Sequence, residues 1–174
     1  MRETLAIALA ALVATTPAIA QDDQPDAPML PTAETQVEEA VRAFFRALAD
    51  PDRTLLADHM VADGMIFVHN RMDPDNPRVD VVKVADHVER WKTRTGQYEE
   101  TMAYDLILVD DDMAQVWGPY TFFADEEITH CGYNSLSMVR TDEGWKVANT
   151  SFSMVPPDMC REIGAPAAPQ EPAE

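Results

Sequence analysis

The sequence predicts an α+β domain in which three helices from the N-terminal half pack on the concave face of a curved antiparallel sheet. Two features of the chain support this. Apolar residues recur at three- and four-residue spacing before residue 92, as in amphipathic helices. Residues 115–123, 128–140 and 145–154 are then rich in strand-forming side chains and are separated by two turn-like breaks, 124–127 and 141–144. A meander of strands is the simplest interpretation.

The first predicted helix starts near Thr35, because Thr35 and Glu38 have the spacing of a capping box. Its apolar face is formed by Val37, Val41, Phe44, Phe45 and Leu48. Pro51 ends it, since the residue before a proline disfavours helical geometry. Asp52 then caps a short second helix that runs to Met60.

Residues 65–69 (MIFVH) form the first predicted strand, and the Pro- and Asn-rich residues 70–78 follow as a loop. Asp80 is expected to cap a third helix that carries Val81, Val84, Ala85, Val88 and Trp91 on one face. His87 is expected on its exposed side. Gly96 ends this region, and residues 102–109 form one further strand before the acidic turn 110–112.

The two ends of the chain are predicted to lie outside the folded domain. Residues 1–20 have one arginine, an apolar run and a small-residue ending, which is typical of a secretory signal peptide cleaved after Ala20. Residues 21–33 read as a flexible leader, 34–160 as the domain, and 161–174 as a disordered tail rich in Pro and Ala. We therefore expect a periplasmic or secreted protein.

The net charge of the chain limits the kinds of partner that it can bind. The formal net charge is -18, so the chain repels phosphate backbones and anionic lipid surfaces. Nucleic-acid binding and membrane binding are not expected. Most of the acidity is attributable to a solvated surface.

Cys131 and Cys160 are the two cysteines. An even count in an oxidising compartment favours a disulfide between them, and two buried free thiols are the alternative. The histidines lack the paired spacing of catalytic zinc sites, so no metal and no cofactor is expected.

Three runs carry a resemblance to a known family: residues 130–134 (HCGYN), 136–140 (LSMVR) and 144–147 (GWKV). With the order of elements, they resemble the SnoaL-like and lumazine-binding-like secreted branch of the NTF2-like superfamily. The resemblance implies a cone-shaped fold with a pocket between sheet and helices, and often a homodimer formed through the sheet. It does not identify a function, because this superfamily contains isomerases, dehydratases, ligand binders and association domains.

The pocket wall follows from strand alternation. His130 and Asn134 share one face of their strand, and if that face is concave they enter a pocket walled by aromatic residues. The predicted aromatic lining is Trp91, Trp117 and Tyr120. A bulge at Gly118-Pro119 would change the phase of that strand. The alternative for His130 is a histidine that merely hydrogen-bonds the backbone or water.

Three functions are compatible with these features. The first is a domain that binds a small, largely apolar molecule without catalysis. The second is an isomerase or dehydratase in which His130, paired with Asp105, acts as general base and Tyr120 or Tyr104 stabilises an oxyanion. The third is a homodimerisation module whose cavity is filled by side chains.

Overall fold

The computed structural model describes residues 31–168, which form an α+β domain with a curved, mixed sheet. The predicted signal peptide, the leader up to residue 30 and the tail from residue 169 lie outside the described residues. Within 31–168 the helices are α1 (Ala33–Ala49) and α2 (Val84–Lys92), with short 3-10 helices at Leu55–His59 and Pro157–Met159. The strands are β1 (Met65–Asn70), β2 (Arg78–Lys83), β3 (Tyr98–Met102), β4 (Leu106–Asp110), β5 (Met113–Ala124), β6 (Glu127–Thr141) and β7 (Gly144–Met154).

Helix α1 is the first predicted helix, but it begins earlier than expected. Thr32 is the residue that caps it, and its hydroxyl accepts a hydrogen bond from the Thr35 backbone N–H at 3.2 Å. The apolar face predicted for this helix is buried in the core. The predicted second helix is only a 3-10 helix, so residues 31–168 contain two α-helices instead of the three predicted.

The sheet has the order β2-β1-β7-β6-β5-β3, and β4 also pairs with β5. The prediction of a fully antiparallel sheet is wrong, because β1 and β7 run parallel. These two strands are far apart in the chain, and no tight turn joins them to impose an antiparallel direction. The β5–β6 and β6–β7 hairpins turn where the sequence predicts, over two residues each.

Strand β2 replaces the predicted start of the third helix. Val79 and Val81 alternate with polar residues on an edge strand and are more than half exposed. Their β-branched side chains favour the strand over a helical turn. Helix α2 therefore begins only at Val84, after Lys83.

The single strand predicted at 102–109 is divided into β3 and β4, which both pair with β5. The predicted bulge lies in this divided strand, not in β5. Gly118 lets the Ala103 carbonyl approach, since an added Cβ at Gly118 would lie 1.8 Å from that oxygen. The β5–β6 register is regular through Phe122 and shifts between Phe122 and Phe123. The phase of β5 is therefore constant up to Phe122.

Cys131 and Cys160 form a disulfide, which fixes a C-terminal segment, residues 155–166, across the outer face of β5 and β6. The Thr121 hydroxyl donates to the Pro166 carbonyl at 2.7 Å, and Val155 exchanges backbone hydrogen bonds with Cys131. We call residues 155–166 the C-terminal strap. It contacts Thr121 and Cys131, which are buried although they lie on the outer face.

Candidate functional site

A cavity of about 390 Å³ lies between the inner face of the sheet and the two α-helices. This volume is in the range of small-molecule sites, roughly 300–1,000 Å³. Most of its wall is apolar and comes from every layer of the domain. The aliphatic, methionine and phenylalanine residues of the lining are Phe44, Leu48, Met60, Ile66, Val68, Val82, Phe122, Leu136, Phe152 and Met154.

Strand alternation decides which side chains reach the cavity. With the regular register of β5 and β6, Tyr120 and Phe122 on β5 share the inner face with His130 and Asn134 on β6. Trp117 is three residues before Tyr120 and therefore lies on the outer face. The predicted face of β6 is the inner one.

Glu100 is the carboxylate of this cavity. It lies on β3, directly opposite Phe122, and its Oε1 accepts a hydrogen bond from Asn134 Nδ2 at 2.7 Å. Burial raises the pKa of Glu100 to about 7, although the hydrogen bond from Asn134 opposes this rise. The carboxyl is therefore balanced between its two protonation states near neutral pH.

His130 is held as a neutral imidazole. Its Nδ1 is 2.8 Å from the Thr129 hydroxyl, and its ring stacks on Phe122 with centroids 5.1 Å apart. Burial lowers the pKa of His130 to about 4. A base with so low a pKa is mostly unprotonated at pH 7 but has little affinity for a proton, which limits it as a general base.

Tyr120 is fully buried beside these groups. Its hydroxyl donates to the Ser153 carbonyl at 2.8 Å, and burial, followed by the nearby Glu100, raises its pKa well above the ordinary value. Gly132 makes this contact possible, because an added Cβ at Gly132 would lie 1.9 Å from the Ser153 oxygen. The tyrosine hydroxyl is thus a fixed, neutral hydrogen-bonding group.

Helix α2 supplies the other side of the cavity through His87, Arg90, Trp91 and the following Arg94. Trp91 packs against Tyr98 with ring centroids 5.1 Å apart. His87 stacks on Trp91, and burial, with smaller contributions from Arg90 and Arg94, lowers the pKa of His87 to about 4. The expectation that His87 lies on the exposed side of the helix is wrong.

Of the predicted ligand-binding residues, Trp91, Tyr120, His130 and Asn134 line the cavity, and Trp117 does not. Trp117 is 43% exposed on the outer face, where it stacks on Tyr133. Its predicted place in the wall is wrong because the bulge that would have changed the phase of β5 is in the neighbouring strand.

The predicted pairing of His130 with Asp105 is not formed. Asp105 is exposed in the break between β3 and β4 and does not line the cavity. Tyr104, in the same break, packs under the Arg42 guanidinium, with 5.2 Å between the guanidinium carbon and the ring centroid. Glu100, which sequence reasoning missed, is the acidic group that the fold places in the cavity.

Residues 31–168 contain no group of three or more His, Cys, Asp or Glu side chains placed to hold a metal ion. Among the same residues, no helix is long and apolar enough to cross a membrane.

No family model and no curated protein matches this chain. Solved structures do. The β subunit of a candidate aromatic-ring-hydroxylating dioxygenase from Novosphingobium aromaticivorans aligns with a TM-score of 0.57 and 17% identity, over 71% of this chain and 89% of that one. A conserved protein from Planctomyces limnophilus aligns with a TM-score of 0.56 and 14% identity, over 71% and 96% of the two chains.

An NTF2-like protein of unknown function from Shewanella baltica aligns with a TM-score of 0.50 and 11% identity, over 70% of this chain and 92% of that one. At these identities the similarity concerns the fold alone. The chain has an NTF2-like fold, as its resemblance to that superfamily implies.

Proposed function

We propose that this protein binds a small, largely apolar molecule in the cavity between its sheet and its helices. The observation that carries this proposal is the cavity itself, about 390 Å³ with a mostly apolar wall and a few polar groups at defined positions. Binding sites for small molecules have this combination of features. The third predicted function, a dimerisation module with a filled cavity, does not account for the open space.

A dye titration tests the proposal. Phenylnaphthylamine is neutral and apolar, and its fluorescence rises when it leaves water. Val82 lines the cavity from β2, whereas the adjacent Val81 is 55% exposed on the outer face. We expect saturable binding that Val82→Phe weakens about tenfold or more by filling the cavity, and that Val81→Phe leaves unchanged. Equal binding by the two variants would contradict the proposal.

Native mass spectrometry of protein purified from its own compartment complements the titration. A mass increment that is present in the wild type and absent in Val82→Phe would report the natural occupant. The same spectrum gives the mass of the mature chain, which tests the proposed cleavage after Ala20 and export to the periplasm or medium. The Cys131–Cys160 disulfide supports export, because disulfides persist mainly in oxidising compartments.

An enzyme of the isomerase or dehydratase type is the second candidate, and Glu100 is the observation that favours it. Glu100 is a better general base than His130, since its pKa of about 7 matches neutral pH whereas that of His130 is about 4. Turnover of candidate ketones should fall at least a hundredfold in Glu100→Gln while phenylnaphthylamine binding persists. Turnover that survives this substitution would exclude the Glu100 mechanism.

We also propose a homodimer formed through the outer face of the sheet. Leu106, Leu108, Met113 and Trp117 are each more than 40% exposed there, on the neighbouring strands β4 and β5. An apolar cluster of this kind is typical of association surfaces. Sedimentation should show a dimer, and Leu108→Lys should convert it to a monomer that still binds the dye.

A further inference from the structure

The rim of the cavity at the end of α2 carries two arginines without an acidic partner. Arg90 and Arg94 both line the cavity, and both act electrostatically on His87. Neither side chain forms a salt bridge or a hydrogen bond within residues 31–168. Lys92, between them in the chain, lies outside the cavity and is paired with Glu89 at 2.6 Å. The two cations that face the cavity are the unpaired ones.

The guanidinium of Arg94 is held in place by aromatic rings. Its central carbon lies 5.2 Å from the centroid of Trp91 and 5.5 Å from that of Tyr98. Arg53 lies over the same two rings and also donates to the Gly96 carbonyl at 2.7 Å. Stacking fixes the plane of a guanidinium but leaves its N–H groups free for hydrogen bonds. Arg94 is therefore positioned before any ligand arrives.

Trp91 adds a third unused donor. Its indole N–H is buried and has no hydrogen-bond partner among the described residues. Indole and guanidinium groups donate hydrogen bonds and accept none. Arg90 and Arg94 therefore bring two charged groups that only donate to this end of the cavity. The complementary group on a ligand is an anion with several acceptor oxygens, such as a carboxylate, sulfonate or phosphate.

The cavity also holds a carboxyl, that of Glu100, on a different element. Glu100 lies on β3 and accepts a hydrogen bond from Asn134 Nδ2 at 2.7 Å, whereas Arg90 lies on α2 and Arg94 just after it. Most of the remaining lining is apolar. A ligand that contacts both the apolar wall and the arginines has an apolar body and one anionic end.

We propose that the cavity selects small amphipathic anions, with the apolar body enclosed between sheet and helices and the anionic group bound at the rim by Arg90 and Arg94. This rests on the proposed function of the cavity and narrows its ligand class. In a protein of formal net charge -18, an anion gains nothing from the overall field. A preference for anionic ligands must therefore come from Arg90 and Arg94.

The test compares phenylnaphthylamine with its sulfonated derivative, anilinonaphthalene sulfonate, which has the same aromatic body with one negative charge. We expect the wild type to bind the sulfonate at least about tenfold more tightly. Arg90→Gln and Arg94→Gln should each weaken sulfonate binding about fivefold and leave the neutral dye unchanged. Lys92→Gln removes the same charge from the same helix outside the cavity, and should alter neither affinity.

Each outcome is decisive. Equal affinity for the two dyes, or a loss of sulfonate binding in Lys92→Gln as large as in the arginine variants, would overturn the inference and leave the cavity proposal standing. Absence of any phenylnaphthylamine binding would instead refute the cavity proposal. Unchanged neutral-dye binding in the arginine variants also shows that they are folded. Raising the salt concentration should reduce the preference for the sulfonate.

Discussion

Replacing Glu100 with glutamine should stabilise the protein, and more so at alkaline than at acid pH. Glutamine keeps the shape of the side chain and still accepts the hydrogen bond from Asn134, which is 2.7 Å long in the wild type. It removes only the cost of holding a negative charge in an apolar cavity. The change in the free energy of unfolding therefore measures the cost of an ionised Glu100 in the cavity.

The size of the effect follows from the pKa of Glu100, which rises from 4.5 to about 7 on folding. Below 4.5 both states are protonated and the effect vanishes. As pH rises through this window the unfolded chain releases its proton first, so the wild type loses stability until the folded pKa is passed. The free energy of unfolding of the wild type is lowered by about 1 kcal/mol near pH 5 and by about 3 kcal/mol near pH 8. These are upper values, because Glu100 is half-buried and solvent screens part of its charge.

The assay is urea and thermal unfolding of wild type and Glu100→Gln near pH 5 and near pH 8, and the quantity compared is the difference in stability between the two proteins at each pH. For a chain of this size we expect melting temperatures about 5–10 °C higher for the variant near pH 8. Glu127→Gln removes an exposed carboxylate on β6 and is the control for the loss of one negative charge. If the stability difference for Glu100→Gln is the same at both pH values, the Glu100 carboxyl does not titrate in this range and its proposed catalytic role loses its basis.

Three further results are expected. Replacing Cys131 and Cys160 together with serine should cost about 3–4 kcal/mol, from the chain entropy of a loop of 29 residues, measured by urea unfolding. Gly132→Ala should cost about 1–3 kcal/mol, because its methyl group collides with the Ser153 carbonyl, and the same measurement checks it. His130→Gln should reduce the acid lability of the fold between about pH 6.5 and 4, where the unfolded chain protonates this histidine before the folded one.

Opposite outcomes would identify which part of the reasoning is wrong. A serine double variant as stable as the wild type would mean that the disulfide adds nothing to the hydrogen bonds that already hold the strap. A Gly132→Ala variant as stable as the wild type would show that β7 can move away from β6 at this point. Acid unfolding that is unchanged in His130→Gln would assign the lability to other groups, of which His87, with a pKa also lowered to about 4, is the first to examine.

Local patterns predicted much of the fold because they reflect local physics. The spacing of apolar residues in α1 and the turn residues between β5, β6 and β7 act within a few positions of the chain, so they can be read directly. Edge strands are harder to predict from the sequence. Val79 and Val81 are exposed, so no burial pattern marks them, and the capping potential of Asp80 favoured a helix instead. Their β-branched side chains favour a strand, and pairing with β1 stabilises it over the helix that the capping pattern suggested.

The candidate site was predicted only where strand phase was secure. His130 and Asn134 were placed together because alternation on a single strand needs no partner. Trp117 was misplaced because its phase relative to Tyr120 depended on which of two neighbouring strands carries the irregularity. Glu100 was missed since nothing near it in sequence distinguishes it from an exposed acidic residue, and its environment comes from β5 and β6.

The two faces of the sheet place different limits on a ligand and on a partner. On the inner side, α2 and the residues just after it contribute cations, and the sheet contributes Glu100, Asn134 and the Tyr120 hydroxyl. A bound ligand therefore needs polar groups that match the element each of them contacts. On the outer side, the C-terminal strap already covers the region around Thr121. The cluster on β4 and β5 is exposed, and it is the surface proposed for a second copy. Because this cluster and the cavity lie on opposite faces of the sheet, we expect a substitution that breaks the proposed dimer to leave ligand affinity unchanged.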